Sequence, residues 1–396
     1  MDALIDSARH EPLAQIAWDP GAARAAIERI VADARAAFSP KGLWPAHVND
    51  ARPGSPPLTM FYMGAAGVIW GLDYLTRVGA APPGPSFSEH LDRIETSNHE
   101  MLAGQGAPTL SYLIGDAGVQ LARWNTDKSP SVLESLAATI ASNTEDPTLE
   151  LMWGAPGTML IALALHDETS EDRWADLFRA GAAALERAFE FDARIGAHVW
   201  TQNLYGRRKT YLGAVHGFAG NAFVLIKGRE LLDAAAWSRW STRLAGTMAA
   251  SALRGGAGVN WPPAVGASGD PPPVQHCHGA PGMVTCLAAL DEPIDDLLVG
   301  AGELTWRAGP LNKGANLCHG TAGNGYAFLK LFERTGDGQW LDRARAFAMH
   351  AIAQSDAEAS ALGQRRYSLW TGDIGVAAYL WDCLEGRARF PSLDVL

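Results

Sequence analysis

Two short stretches stand out for their chemistry: Cys277-His278-Gly279 and Cys318-His319-Gly320. A thiolate and an imidazole are soft, basic ligands, and a Cys, Cys, His set binds zinc while leaving a fourth tetrahedral position open. An open position is the mark of a reactive site rather than a structural one. Cys277 and Cys318, with one of the histidines beside them, could supply such a set. A lone cysteine is usually a small buried apolar side chain, and a lone His-Gly is usually a turn. Two Cys-His-Gly runs become significant only if something brings them together, because they lie 41 residues apart.

A repeat does so. Gly-x-x-Gly recurs seven times, as Gly64/Gly67, Gly115/Gly118, Gly154/Gly157, Gly217/Gly220, Gly279/Gly282, Gly320/Gly323 and Gly372/Gly375. Successive first glycines are 51, 39, 63, 62, 41 and 52 residues apart. An apolar stretch follows each pair, such as Thr158–Leu165 or Asn324–Leu331. Stretches that are apolar nearly all round predict helices buried on most sides. Pro156, Pro281, Asp116 and Asp373 suit a first turn. Between the glycine pairs, amphipathic segments near 21–38, 88–104, 132–143, 171–190, 233–253, 294–308 and 340–359 show helical periodicity.

Seven buried and seven amphipathic helices predict an all-α fold, an α/α toroid of seven inner and seven outer helices, as one domain over residues 1–396. Closing the repeats into a ring covers both sides of every inner helix. The glycines are expected to let each inner helix start close to its neighbour's backbone. Segment 39–58 reads as a surface loop, and 193–212 as the place for a short strand pair.

In such a ring the N-termini of the inner helices gather at one end. The residues just before the first glycines are Met63, Ile114, Trp153, His216, His278, His319 and Thr371; one further back lie Tyr62, Leu113, Met152, Val215, Cys277, Cys318 and Trp370. Three consecutive repeats carry histidine at one position, and two add cysteine beside it. Converging helix N-termini favour thiolates there. Cys286 and Cys383 fall inside inner helices and read as core.

The bulk numbers narrow the function. Hydrophobic residues make up 47% of the 396 and charged ones 19%, enough for a large core. A net charge of −11 argues against a nucleic-acid binder. No apolar run is long enough to cross a bilayer, and the N-terminal residues have no basic and then apolar stretch of the kind that directs secretion. Four cysteines are too few for a disulfide framework. A cytoplasmic protein with reduced thiols is expected.

At Tyr211-Leu-Gly-Ala-Val-His-Gly-Phe-Ala-Gly220, His276-Cys-His-Gly-Ala-Pro-Gly282 and Asn316-Leu-Cys-His-Gly-Thr-Ala-Gly323 the sequence resembles the lanthionine synthetase C-like family. That family includes bacterial lantibiotic cyclases and eukaryotic LanC-like proteins, and the resemblance takes in all seven glycine pairs. It implies one Zn2+ held by Cys277, Cys318 and His319, an active-site histidine at His216 and an acidic partner at Glu150. The lantibiotic cyclases carry Asp where this chain has Glu150, Arg where it has Pro273 and often Tyr where it has His278. Glu150 and the Cys-His-Gly pattern resemble the LanC-like branch more closely.

The chemistry implied is addition of a thiol to dehydroalanine or dehydrobutyrine, forming a thioether. The thiol comes from a peptide cysteine, giving lanthionine, or from glutathione. His216 and His278 are the candidates for proton transfer, histidine titrating near neutrality. Arg207, Arg208 and Lys209 form the one basic cluster before the His216 stretch; it reads either as a solvated loop or as a grip for an anionic substrate, glutathione or an acidic leader peptide. The partner expected is a peptide or protein containing a dehydroamino acid. The main alternative is a zinc toroid that binds glutathione or a peptide without turnover, and a zinc prenyltransferase on a helical barrel is a distant third.

Overall fold

The computed structural model describes residues 4–52 and 54–396. It is an α/α toroid. The outer helices are α1 (Pro20–Ala36), α3 (Leu91–Gly104), α5 (Pro130–Asn143), α7 (Asp172–Ala188), α9 (Ala234–Ala250), α11 (Asp295–Ala308) and α13 (Gly338–Leu362). The inner helices are α2 (Ala65–Arg77), α4 (Asp116–Asp127), α6 (Ala155–Thr169), α8 (Phe218–Lys227), α10 (Ala280–Leu287), α12 (Thr321–Thr335) and α14 (Asp373–Glu385). Each inner helix begins directly after the first glycine of a pair, with that glycine as its N-cap.

Burial follows the sequence pattern. In α6 every residue from Ala155 to Leu163 is buried. In α7 Trp174, Phe178 and Leu185 are buried while Asp176, Arg179 and Glu186 face solvent. Asp19, Asp233 and Asp337 cap outer helices by accepting first-turn amides. Packing of α14 on α2 closes the ring.

The glycines act differently from the expectation. A Cβ on the second glycine would sit 2.2 Å from the carbonyl oxygen six residues earlier at Gly157 and 1.8 Å at Gly323. It would also meet a side chain of the preceding repeat, at 2.8 Å from Tyr112 Cβ and 3.1 Å from His276 Cβ. The close approach is therefore to the helix's own entry loop and to a neighbour's side chain, not to the neighbour's backbone.

The entry loops are tied to one another by main-chain hydrogen bonds at a single register. The Tyr62 amide donates to Leu113 (2.7 Å), Leu113 to Met152 (3.3 Å), Cys277 to Cys318 (3.0 Å), Cys318 to Trp370 (3.1 Å) and Trp370 to Tyr62 (3.0 Å). These bonds pass from spoke to spoke around the mouth of the barrel and fix which side chains become neighbours.

Among the described residues, three antiparallel hairpins decorate the helices. Strands β1 (Glu190–Asp192) and β2 (Ala197–Val199) pair, as do β3 (Gln202–Leu204) and β4 (Arg207–Lys209), so the expected strand pair is in fact two. The third joins β5 (Leu253–Gly255) and β6 (Gly258–Asn260), where the sequence reading placed none. Segment 39–58 is mostly exposed but is pinned by buried Leu43, Trp44 and His47; the Trp44 indole donates to the Ala34 carbonyl at 2.6 Å.

Beyond α14 the chain turns back into the barrel. Phe390 is fully buried, 4.5 Å from the His276 ring and 4.7 Å from Tyr326. Ser392 receives two buried bonds, from the Tyr112 hydroxyl to its carbonyl and from the Trp370 indole to its Oγ, both at 2.8 Å. Among the described residues no helix is long and apolar enough to cross a membrane.

Candidate metal centre and its surroundings

Cys277 and Cys318 lie on neighbouring entry loops, joined by their own main-chain bond, and His319 follows Cys318. One ligand atom from each of the three falls within 4.8 Å of the others. No other such group of His, Cys, Asp or Glu occurs among the described residues. Both cysteines are buried and His319 is partly so. All four cysteines are free thiols, and burial pushes Cys286 and Cys383 upward, as suits core groups.

The donor chemistry fits a metal ion. The Cys277 thiol is held below its usual range because the Cys318 thiol hydrogen-bonds to its sulfur, outweighing burial; Cys318 is pushed up by that same pairing and by burial. Two adjacent thiolates repel, and a cation between them removes the penalty. His319 is lowered to about 4 by burial and by Lys313 and Arg366, so its imidazole is neutral and free to coordinate. Around the sulfurs, Gln275 Nε2 donates to Cys277 Sγ at 2.9 Å and the Tyr62 hydroxyl is hydrogen-bonded to Cys318. Donors of this kind orient and stabilise ligating groups.

A second cluster stands beside the first. Glu150, 0% exposed, accepts the amides of Met152 (3.1 Å) and Trp153 (2.5 Å) and His216 Nδ1 at 2.7 Å. A carboxylate only accepts, so Nδ1 carries the proton and Nε2 is left for other work. Burial alone would lower the His216 pKa, but the hydrogen bond and charge of Glu150 win, and it is raised. His278 is the opposite case. Its ring centre is 6.3 Å from that of His216, and burial, with His216, Lys209 and Lys313, lowers it to about 4. Its Nδ1 is buried with no hydrogen-bond partner among the described residues. Gly213 makes room for it, since a Cβ there would lie 2.6 Å from that nitrogen.

The β3–β4 hairpin leans over this cluster. At its tip, Tyr205 accepts a bond from the Trp153 indole (3.1 Å) and its ring lies 6.2 Å from His216. Arg207, Arg208 and Lys209 form β4 and all three are exposed. Lys209 Nζ sits 5.4 Å above the Tyr211 ring, which is 6.3 Å from His278. The basic cluster is thus a strand at the edge of the site rather than an irregular loop.

Sequence reasoning missed Tyr62, Gln275 and Tyr205. For Tyr62 a signal existed: it stands at the register of Cys277 and Cys318, two residues before its first glycine. Nothing comparable marks Gln275 or Tyr205.

A closed helical ring with two thiols and an imidazole converging at its mouth defines the class. The sequence profile of the family described as "Lanthionine synthetase C-like protein" matches residues 56–395, and the chain belongs to that family. Among curated proteins it is 32% identical over 202 residues to "Glutathione S-transferase LANCL1" of Danio rerio, covering 48% of this chain and 47% of the relative. It is also 32% identical over 132 residues to "LanC-like protein GCL1" of Arabidopsis thaliana, covering 31% and 30%. The matched stretches thus span about half the length of the first relative and less of the second. Among solved structures, "Nisin cyclase" shares the fold with a TM-score of 0.57 at 16% identity, over 82% of this chain and 88% of that one.

Proposed function

We propose that this protein holds one zinc ion through Cys277, Cys318 and His319 and adds a thiol across the double bond of dehydroalanine or dehydrobutyrine. The observation that carries this reading is the convergence of two thiols and a neutral imidazole within 4.8 Å, beside a histidine whose proton-holding power is raised by a buried carboxylate. When bound, the ion would make a substrate thiol available as a thiolate at neutral pH.

The chain's own residues do the rest. His216, protonated on Nδ1 toward Glu150, delivers a proton from Nε2 to the substrate α-carbon as sulfur bonds to the β-carbon. The electron pair of the C=C bond thereby ends in a C–H bond, and the thiol proton replaces the one His216 gives up. No redox partner is needed. His278, lowered to about 4, stays neutral and serves as a hydrogen-bonding neighbour rather than as an acid. Arg207, Arg208, Lys209 and Lys313 offer cations to a thiol that carries carboxylates, which favours glutathione or an acidic peptide as the thiol source. The similarity to a relative named as a glutathione S-transferase points the same way.

The test is incubation of the zinc-loaded protein with a dehydroalanine peptide, with and without glutathione. The expected product is a thioether that requires the metal and falls at least about a hundredfold in His216→Ala, the usual range for a proton-transfer residue. Metal-loaded protein that binds glutathione or the peptide but yields no thioether would establish the non-catalytic alternative.

A further inference from the structure

The two protein sulfurs are each engaged by a donor of the chain. Gln275 Nε2 reaches Cys277 Sγ at 2.9 Å, and the Tyr62 hydroxyl is hydrogen-bonded to Cys318. Both donors are over nine-tenths buried. Tyr62 is firmly placed. Its carbonyl accepts the Trp370 amide, its ring stacks on Trp370 at 5.6 Å, and the Trp370 carbonyl accepts the Cys318 amide. Gln275 is locked by reciprocal main-chain bonds with His278, at 3.2 and 3.1 Å.

Resting on the function proposed above, the reaction faces a selectivity problem. A substrate thiolate and two protein thiolates would meet one electrophile, and alkylation of Cys277 or Cys318 would destroy the centre. A hydrogen bond to a thiolate withdraws charge from sulfur, and nucleophilicity falls with basicity. We propose that Tyr62 and Gln275 are specificity-determining residues: Tyr62 shields Cys318, and Gln275 shields Cys277, so that the substrate's sulfur is the one that reacts.

The experiment uses the full chain loaded with zinc, as wild type, Tyr62→Phe and Gln275→Met, with no substrate thiol. N-ethylmaleimide supplies an electron-poor alkene. Peptide mapping by mass spectrometry reads which cysteine is modified, and a chromogenic chelator reads metal release. Cys286 and Cys383, at 2% and 0% exposure, do not compete. Tyr62→Phe is expected to speed modification of Cys318 about tenfold, the rate factor that ~1.4 kcal/mol produces, with Cys277 unchanged. Gln275→Met is expected to do the same to Cys277 alone, with zinc released in step.

Wild-type rates in both variants, or the same cysteine reacting in both, would overturn the proposal. So would loss of zinc from both variants before any reagent is added, because the donors would then retain the ion rather than shield the sulfurs. If one variant alone loses zinc, the other decides. Wild-type protein that binds no zinc would instead remove the functional reading on which the proposal stands.

Discussion

The entry loops before α4 and α6 carry Leu113-Ile114 and Met152-Trp153, where those before α10 and α12 carry Cys277-His278 and Cys318-His319. The frames are alike: a glycine N-cap and the same carbonyl packed against the second glycine in each, with the amides of Leu113, Cys277 and Cys318 donating to the next spoke, although the Met152 amide turns to Glu150 and Leu151 donates to Val215 instead. The plain side is wholly apolar at these positions, all four side chains being buried. The comparison teaches that the ring is a neutral frame and that two residues per loop decide whether a spoke offers metal-binding groups. The plain side still contributes from a neighbouring position, since Glu150 belongs to the entry loop before α6 and the amides of Met152 and Trp153 fix its carboxylate for His216.

The largest effect should come from exchanging the same register position on each side. Cys318→Ala is expected to lose metal affinity by more than about a hundredfold, beyond the usual cost of disturbing a partner of a ligand, while the fold persists. Leu113→Ala, at the equivalent place, is expected to cost ~2–5 kcal/mol of stability with metal stoichiometry intact. Metal analysis and chemical denaturation on both variants read this out. Near-normal zinc in Cys318→Ala would break the division between the two sides.

A middle-sized effect concerns the contribution of the plain side to His216. The folded pKa of His216 is raised, so its pairing with Glu150 stabilises the protein fully below the unfolded value of ~6.5. That stability is lost as pH rises through the folded value. The gap in melting temperature between wild type and Glu150→Gln, at saturating metal, should therefore narrow on raising the pH. A gap that stays constant would mean His216 carries no extra proton.

The smallest effect lies outside the ring. Arg208→Ala in exposed β4 should raise KM for glutathione by no more than about fivefold and leave an uncharged thiol unaffected. Equal changes for both thiols in steady-state kinetics would make β4 a structural edge only.

Much of this was legible in the sequence because it is local and periodic. Gly-x-x-Gly followed by a largely apolar stretch marked every inner helix start, and register alone brought Cys277 and Cys318 together. Glu150 was reached only through the family resemblance, since nothing around it repeats. Tyr62 shared the register, but an aromatic among Leu113, Met152 and Trp370 looks like wall. The β5–β6 hairpin lies where α9 runs out, in a short stretch too brief to show alternation. Phe390 and Ser392 meet partners far away in sequence, Tyr112 being 280 residues from Ser392, and no periodic pattern announces a contact of that kind.

The meeting of α14 with α2 has a consequence for how such a protein can change. An open array of helical pairs gains or sheds a unit at its end with little disturbance. A closed wheel has no end. An eighth spoke would alter the angle at every joint, and with it the spacing of the sulfurs. New variety has to enter through the rim, in the loops and hairpins, while the number of spokes stays fixed.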